Sequence, residues 1–315
     1  MFRLAIFFLI LCVGQLSYAK PLMILSDTLN EGEHYIGIHA SSFKQKSNSE
    51  YLISGGITGS GSQKAELSLL ELDYQYGVNN QAVLYISLPY HWSGKTVGEE
   101  SYSTNQNFDV RSKWDGLGDL ESIFSYSLLD NSVNKVSALV MVKLPVGSDK
   151  PGDSEVIENG IKRQDLIKGG ASSGTTDYGA AFSYSKKIGR VEPFLDTTYT
   201  FNGSKTEEGE KIEPGDEYLV RLGISDHLSS KFSYFFAVGY TEKDRSKSGD
   251  FISNRHSRKT IQGRFLYEFE KSYWLEVEGT YGETSNIQAI NTISDSITNS
   301  KRRMTQIVVG LTLEL

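Results

Sequence analysis

The chain has 315 residues and a formal charge of −7, with 18 tyrosines and 15 phenylalanines but only six prolines. An acidic balance of this kind argues against nucleic acid as a partner. The single cysteine is Cys12, and the few histidines have no metal-ligand spacing, so the sequence predicts neither a metal site nor another cofactor.

The N-terminus has the pattern of a secretory signal. Residues 1–19 combine one early arginine, an apolar run and small residues up to Ala19, as in a peptide that is cleaved at that position. The apolar run is shorter than the roughly twenty residues that a membrane-spanning helix needs. We therefore expect an exported protein with an N-terminal periplasmic segment at residues 20–33 and a barrel domain at residues 34–315.

Most of the remaining chain consists of stretches in which apolar and polar residues alternate. In residues 82–90 every second residue is apolar, which is typical of a strand with two different faces. The stretches approach the roughly ten residues that a tilted strand needs to cross a bilayer, whereas strands of soluble sandwiches have about five or six. We predict twelve strands, at residues 34–44, 66–77, 81–92, 117–129, 134–146, 175–187, 190–202, 216–226, 230–242, 258–270, 272–283 and 302–315.

The connections between these strands alternate in length. Five are tight turns rich in Asn, Asp, Gly and Ser, and the other six are polar and span roughly fifteen to thirty residues. Outer-membrane barrels have short periplasmic turns and long extracellular loops. An even strand number also lets the first strand pair with the last, which leaves no edge unpaired in lipid. The predicted fold is an all-β, antiparallel transmembrane β-barrel of about twelve strands in a Gram-negative outer membrane.

Aromatic residues collect at both ends of the predicted strands and share the apolar parity. Amphipathic rings favour the bilayer interface, so these positions indicate which parity faces lipid. The belt near the short turns comprises Tyr74, Tyr76, Phe124, Tyr126, Tyr184, Phe232, Tyr234, Tyr267, Phe269 and Tyr273. The belt near the long loops comprises Tyr90, Trp92, Tyr178, Tyr199, Phe201, Tyr218, Tyr240 and Tyr281.

The opposite parity carries charged residues, which could face hydrocarbon only at a high cost in free energy. Arg264 and the pair Glu276 and Glu278 belong to strands joined by a tight turn, so we expect lateral neighbours. Two interpretations remain open: a salt-bridged network that fills the lumen, and a polar constriction that selects solutes. The candidate lumen-lining residues are His39, Glu71, Asp73, Glu121, Lys143, Asp196, Arg221, Arg264, Glu276 and Glu278.

Glycine, proline and aspartate recur at the ends of three predicted strands. The segments are GLGDLESIFSYSLL at residues 116–129, VKLPVGSDKPG at residues 142–152, and residues 172–203, which begin SSGTTDYG. They resemble the core of the meta-pathway phenol-degradation family of bacterial outer-membrane proteins. Gly116, Gly118 and Asp119 match its Gly-x-Gly-Asp strand start, while Val146 replaces Thr in its Leu-Pro-Thr-Gly strand end. The resemblance implies an outer-membrane barrel that acts as a transporter or channel for small organic compounds.

Two alternatives to a channel remain. A plugged barrel could act structurally or in adhesion through its outer loops. A phospholipase is the enzymatic alternative, because His91 and Ser93 have a His-x-Ser spacing, but parity directs His91 to the lumen and no residue is placed to orient it. We therefore predict a porin-like channel with no catalytic residue. Expected partners are outer-membrane lipid and lipopolysaccharide, the barrel-assembly machinery and an unidentified small solute.

Overall fold

The computed structural model describes residues 29–53, 55–147, 154–159, 161–163, 171–207, 210–229, 231–270, 272–291 and 296–314. None of these residues belongs to a helix that is long and apolar enough to cross a membrane. The predicted signal peptide and most of the predicted segment 20–33 lie outside the described residues.

Nineteen β-strands make up the described secondary structure. In chain order they are β1 (His34–Ile53), β2 (Ile57–Asn79), β3 (Ala82–Tyr102), β4 (Asn107–Leu117), β5 (Leu120–Asp130), β6 (Asn134–Leu144), β7 (Ser154–Glu158), β8 (Ile161–Arg163), β9 (Asp177–Lys186), β10 (Val191–Phe201), β11 (Lys205–Glu207), β12 (Glu210–Glu213), β13 (Glu217–Ser229), β14 (Phe232–Lys243), β15 (Lys247–Ser248), β16 (Phe251–Ser253), β17 (His256–Glu270), β18 (Tyr273–Asn291) and β19 (Ser296–Glu314).

Twelve of these strands form a closed antiparallel barrel, which confirms the predicted fold class. Strand β19 pairs back with β1, from Tyr35 opposite Glu314 to Leu52 opposite Ile297. This closure satisfies the backbone groups of both edges, as a structure in lipid requires. The barrel order is β1, β2, β3, β5, β6, β9, β10, β13, β14, β17, β18 and β19.

The two ends of the barrel differ. The five predicted tight turns, which follow β2, β5, β9, β13 and β17, all lie at one end, here named the turn end. His34 and Glu314 also lie there. The opposite end, here named the loop end, carries the short strands β7, β8, β11, β12, β15 and β16. In outer-membrane barrels the short turns face the periplasm.

The barrel wall continues beyond the predicted strands at the loop end. Residues 45–53 and 57–65, which the sequence predicts to lie in a loop, are instead the ends of β1 and β2, paired up to Ile53 opposite Ile57. The same correction applies to β3, β18 and β19, and we name these continuations, together with β4, the loop-end extension. The prediction was wrong because the outward residues of the extension meet water. The apolar half of the alternation therefore disappears while backbone pairing continues.

The predicted strand at residues 117–129 also needs correction. Strands β4 and β5 run in the same direction along β3, and the wall is interrupted between them at Gly118 and Asp119. Gly116 has φ of +123°, a backbone conformation that residues with a Cβ rarely adopt. The Gly-x-Gly-Asp segment is therefore a break between two strands rather than the start of one.

An apolar band surrounds the barrel between its two ends. Leu72, Val140 and Leu222 expose 52%, 56% and 54% of their surfaces on the outward parity. Trp92 and Tyr267 are similarly exposed at opposite ends of the band. A continuous exposed apolar surface of this kind would be unfavourable in water and marks the face that contacts lipid.

Candidate functional site: a polar belt inside the barrel

The candidate lumen-lining residues all lie on the parity opposite the apolar band. Asp73, Asp196, Arg221, Arg264, Glu276 and Glu278 are buried, whereas Glu71, Glu121, Lys143 and His39 retain partial exposure. The structure brings most of them into a set of hydrogen bonds and ion pairs, which we name the polar belt. It comprises Ser183, Asp196, Arg221, Gln262, Glu278, Arg264, Glu276, His39, Asp73 and Tyr85.

Arg221 on β13 lies directly opposite Asp196 on β10 in the strand register. Its Nη2 and Nε atoms donate to Asp196 Oδ2 at 2.6 and 3.0 Å, while Ser183 donates to Asp196 Oδ1 at 2.6 Å. The remaining nitrogen, Nη1, donates to Gln262 Oε1 on β17 at 3.2 Å. Arg221 therefore reaches across β14, on which Gly239 is its facing residue, to the second neighbouring strand.

Two phenylalanines hold the Arg221 guanidinium. Its Cζ lies 5.8 Å from the ring centroid of Phe194 and 5.2 Å from that of Phe235, and the two rings stack with centroids 4.9 Å apart. A Cβ at Gly223 would come within 2.3 Å of Phe194, so this glycine gives the ring its place on the wall. Cation–π contacts and charge-assisted hydrogen bonds together fix Arg221 beside β10, β13 and β14.

The belt continues on β17 and β18. Gln262 Nε2 donates to Glu278 Oε1 at 2.9 Å, and Arg264 forms a short ion pair with Glu276. Arg264 and Glu278 face each other in the register, which confirms that Arg264 and the two glutamates are lateral neighbours. Each carboxylate therefore has a donor on the adjacent strand.

His39 connects Glu276 to the strands on the other side of β19. Its Nδ1 lies 2.6 Å from Asp73 Oδ2, and its Nε2 lies 3.6 Å from Glu276 Oε2. Tyr85 donates to Asp73 Oδ1 at 2.6 Å. The imidazole passes over Gly310, where an added Cβ would lie 1.8 Å from the ring. A glycine at this position on β19 is therefore what allows His39 to reach Glu276.

The remaining candidates lie on β2, β5 and β6. Glu71 accepts a short hydrogen bond from Ser87, and Glu121 faces Lys143 in the register. Lys143 forms a short ion pair with Asp177. These contacts place charge along the part of the wall that the polar belt does not cover.

The three segments of the family resemblance meet at one corner near Lys143. The Asp119 carboxylate lies 3.7 Å from Lys143 Nζ and accepts hydrogen bonds from Ser172 and from the backbone N–H of Ser173. A Cβ at Gly147 would lie 1.7 Å from the carbonyl oxygen of Leu117. The glycines and Asp119 of these segments thus permit and hold a close approach of β5, β6 and the start of β9.

Three members of the polar belt and the two phenylalanines beside Arg221 were not predicted from the sequence. Tyr85, Ser183, Gln262, Phe194 and Phe235 share the interior parity, but the candidate residues were chosen by charge. Parity alone could have added them, because each lies on a predicted strand opposite the apolar face.

The His-x-Ser pair does not form a lipid-facing dyad. His91 is only 7% exposed and lies on the interior side near Gly118, whereas Ser93 is exposed next to an irregularity in β3. Within the described ranges, no group of three or more His, Cys, Asp or Glu residues is arranged to hold a metal ion.

Neither a protein-family model nor a curated protein matches the chain. Its fold is similar to that of an outer membrane channel from Pseudomonas putida F1, with 11% identity, a TM-score of 0.54, and coverage of 92% of this chain and 98% of that chain. A FadL homologue from Pseudomonas aeruginosa has 9% identity, a TM-score of 0.45 and 90% coverage of both chains. The outer membrane protease OmpT from Escherichia coli has 9% identity, a TM-score of 0.42, and coverage of 92% and 100%. The first likeness shows the fold, which is that of an outer-membrane barrel.

Proposed function

We propose that the protein is a channel for the passive passage of small organic solutes across a bacterial outer membrane, with the polar belt as its selective element. The observation that carries the proposal is the direction of the belt's contacts. Each hydrogen bond and ion pair named above for the polar belt joins strands that are first or second neighbours in the wall. Contacts of this kind hold charged groups along the wall, whereas a salt-bridged plug needs contacts across the lumen.

The belt places charges of both signs at fixed positions. Arg221 and Arg264 face the carboxylates of Asp196, Glu276 and Glu278 on adjacent strands. Inside a low-dielectric wall, such groups create a field that favours polar or charged solutes of matching charge distribution. The resemblance to the meta-pathway phenol-degradation family and the fold shared with an outer membrane channel support this role.

A closed barrel that acts through its outer loops is the second candidate. It is favoured by the burial of the belt, since Asp196 exposes 1%, Glu278 2% and Arg221 4% of their surfaces. In a lumen filled at this level, these side chains would have no contact with solvent. Conductance distinguishes the two candidates.

Planar-bilayer recording of the full-length protein tests the proposal. We expect stable unit conductance, and Arg221→Gln should shift the ion preference towards cations because it removes a positive charge from the lumen. Arg303→Gln is the matched control, since Arg303 exposes 71% of its side chain on the outer wall and its loss should leave conductance unchanged. A folded barrel without conductance would overturn the channel proposal and support the closed barrel.

A further inference from the structure

Two rows of positively charged side chains lie on the outer face of the wall where the predicted strands pass into the loop-end extension, and we name them the basic rows. In the upper row, Lys46 faces Arg303 on β19 and Lys64 on β2. Two residues closer to the membrane, Lys44 lies between Thr305 and Glu66. Along the pairing towards β3 and β4, the rows continue to Lys95, Lys113 and Arg111. Along the pairing towards β18 and β17, the upper row continues to Glu283 and Lys259.

The height of the basic rows is set by their neighbours on the same face. Tyr281, a member of the loop-end aromatic belt, faces Thr305, which in turn faces Lys44. One step closer to the turn end is Ile307, which exposes 55% of its surface on the apolar band. Aromatic belts mark the bilayer interface. The basic rows therefore lie at the level of the lipid headgroups.

The net charge of the basic rows is positive, opposite in sign to the net charge of the whole chain. Eight cationic side chains stand in the two rows beside three acidic ones, Glu66, Glu283 and Glu155, of which Glu155 lies 3.8 Å from Arg111, whereas the chain as a whole has a formal charge of −7. The cationic residues are Lys44, Lys46, Lys64, Lys95, Arg111, Lys113, Lys259 and Arg303.

The arrangement is unfavourable unless an anion joins it. Like charges that face each other directly across strands are destabilising, and Lys46 has such a neighbour on both sides. In the part of the chain that the structure describes, Lys44, Lys46 and Lys64 form no ion pair. Arg303 has only an exposed contact with Glu283 at 3.4 Å. An external anion between these side chains would replace repulsion by attraction.

We propose that the basic rows bind the phosphate groups of a phosphorylated glycolipid in the outer leaflet of the membrane. The loop end faces that leaflet in a barrel with short periplasmic turns. Several phosphates on one headgroup could contact both rows at once, because residues two apart on a strand are separated by about 6.6 Å. The site lies on the outer wall and is independent of conduction through the lumen.

Native mass spectrometry of the full-length protein in detergent tests the proposal with two probes, lipid A that carries its phosphates and the same lipid after enzymatic removal of the phosphates. The protein should prefer the phosphorylated form. The combined variant Lys46→Gln, Lys64→Gln and Arg303→Gln should weaken its binding by about tenfold or more. The combined variant Lys186→Gln, Lys187→Gln and Lys231→Gln removes the same charge from exposed positions at the turn end and should bind as the parent does.

The single variant Lys46→Gln separates a lipid site from a structural role. Without lipid, its unfolding temperature should equal or exceed that of the parent protein, because like-charge repulsion is relieved. With phosphorylated lipid A, the parent should gain more stability than the variant. Equal binding of the two lipids, or equal loss in the basic-row and turn-end variants, would overturn the proposal. Unchanged conductance of the basic-row variant would keep this result separate from that on the channel.

Discussion

Strand β2 passes through two environments, the apolar band and the loop-end extension, and its two parts differ in the residues on the outer face. Its pairing with β1 is continuous from Tyr76 to Ile57. On the outer face, Leu72 and Leu70 lie in the apolar band, whereas Lys64 and Ser62 occupy the same parity in the loop-end extension. The backbone pairing is therefore independent of the solvent, and the chemistry of the outer face reports whether lipid or water surrounds it.

The largest expected effect comes from placing a charge on each part of this face. Leu72→Arg should prevent assembly of most of the protein, because arginine near the bilayer midplane costs about 2–4 kcal/mol. Ser62→Arg adds the same side chain to the same strand and parity, ten residues closer to the loop end, and should assemble normally. Heat-dependent gel mobility of the membrane fraction measures the folded share. Equal assembly of both variants would show that the apolar band does not contact lipid at Leu72.

A second test compares the inner and outer faces at two glycines. Gly310 lies beneath His39, so Gly310→Ala should displace the imidazole and weaken its contacts with Asp73 and Glu276, at a cost of about 1–3 kcal/mol. Gly279 is exposed on the apolar parity, and an added Cβ there has no atom within 4 Å. Gly279→Ala should therefore leave stability unchanged or slightly increase it. The temperature at which the heat-resistant gel band disappears gives the measurement.

These comparisons also explain how far the sequence could predict the structure. The apolar alternation at residues 82–90 exists because lipid lies on one side of β3. Wherever a strand faces lipid, the sequence therefore predicts both the strand and the set of residues that face outward. Residues 45–53 and 57–65 form equally regular strands, but water on the outside removes the apolar alternation that would have shown them. For Arg221 and Asp196, the sequence predicts only that both charged side chains face the interior. Their contact depends on the register between β10 and β13, and the hydrogen bond from Arg221 to Gln262 depends on the register across β14, which periodicity does not specify.

The smallest expected effect concerns the interior of the loop-end extension, where Glu100 is buried and accepts hydrogen bonds of 2.9 Å from the hydroxyl groups of Tyr51 and Tyr102. Burial raises the pKa of the Glu100 carboxyl, and the two hydrogen bonds only partly oppose this. Because the pKa in the folded protein exceeds that in the unfolded chain, protonation favours the folded extension. The resulting stability is fully present below the unfolded pKa of about 4.3 and is lost as the pH rises through the folded pKa.

Hydrogen exchange of β1 and β3 near Tyr51 and Tyr102, corrected for the intrinsic pH dependence of exchange, should therefore show greater protection at acidic than at neutral pH. Each unit by which the pKa is raised corresponds to about a tenfold change in the opening equilibrium. Glu100→Gln should abolish this pH dependence and increase protection at neutral pH, since a neutral amide is buried at a lower cost. The apolar band, probed at Leu72 and Val140, should show no matching change. If protection in the extension of the parent protein instead fell on acidification, the buried carboxylate would be stabilising the extension in its charged form, and the two hydroxyl donors would outweigh its burial.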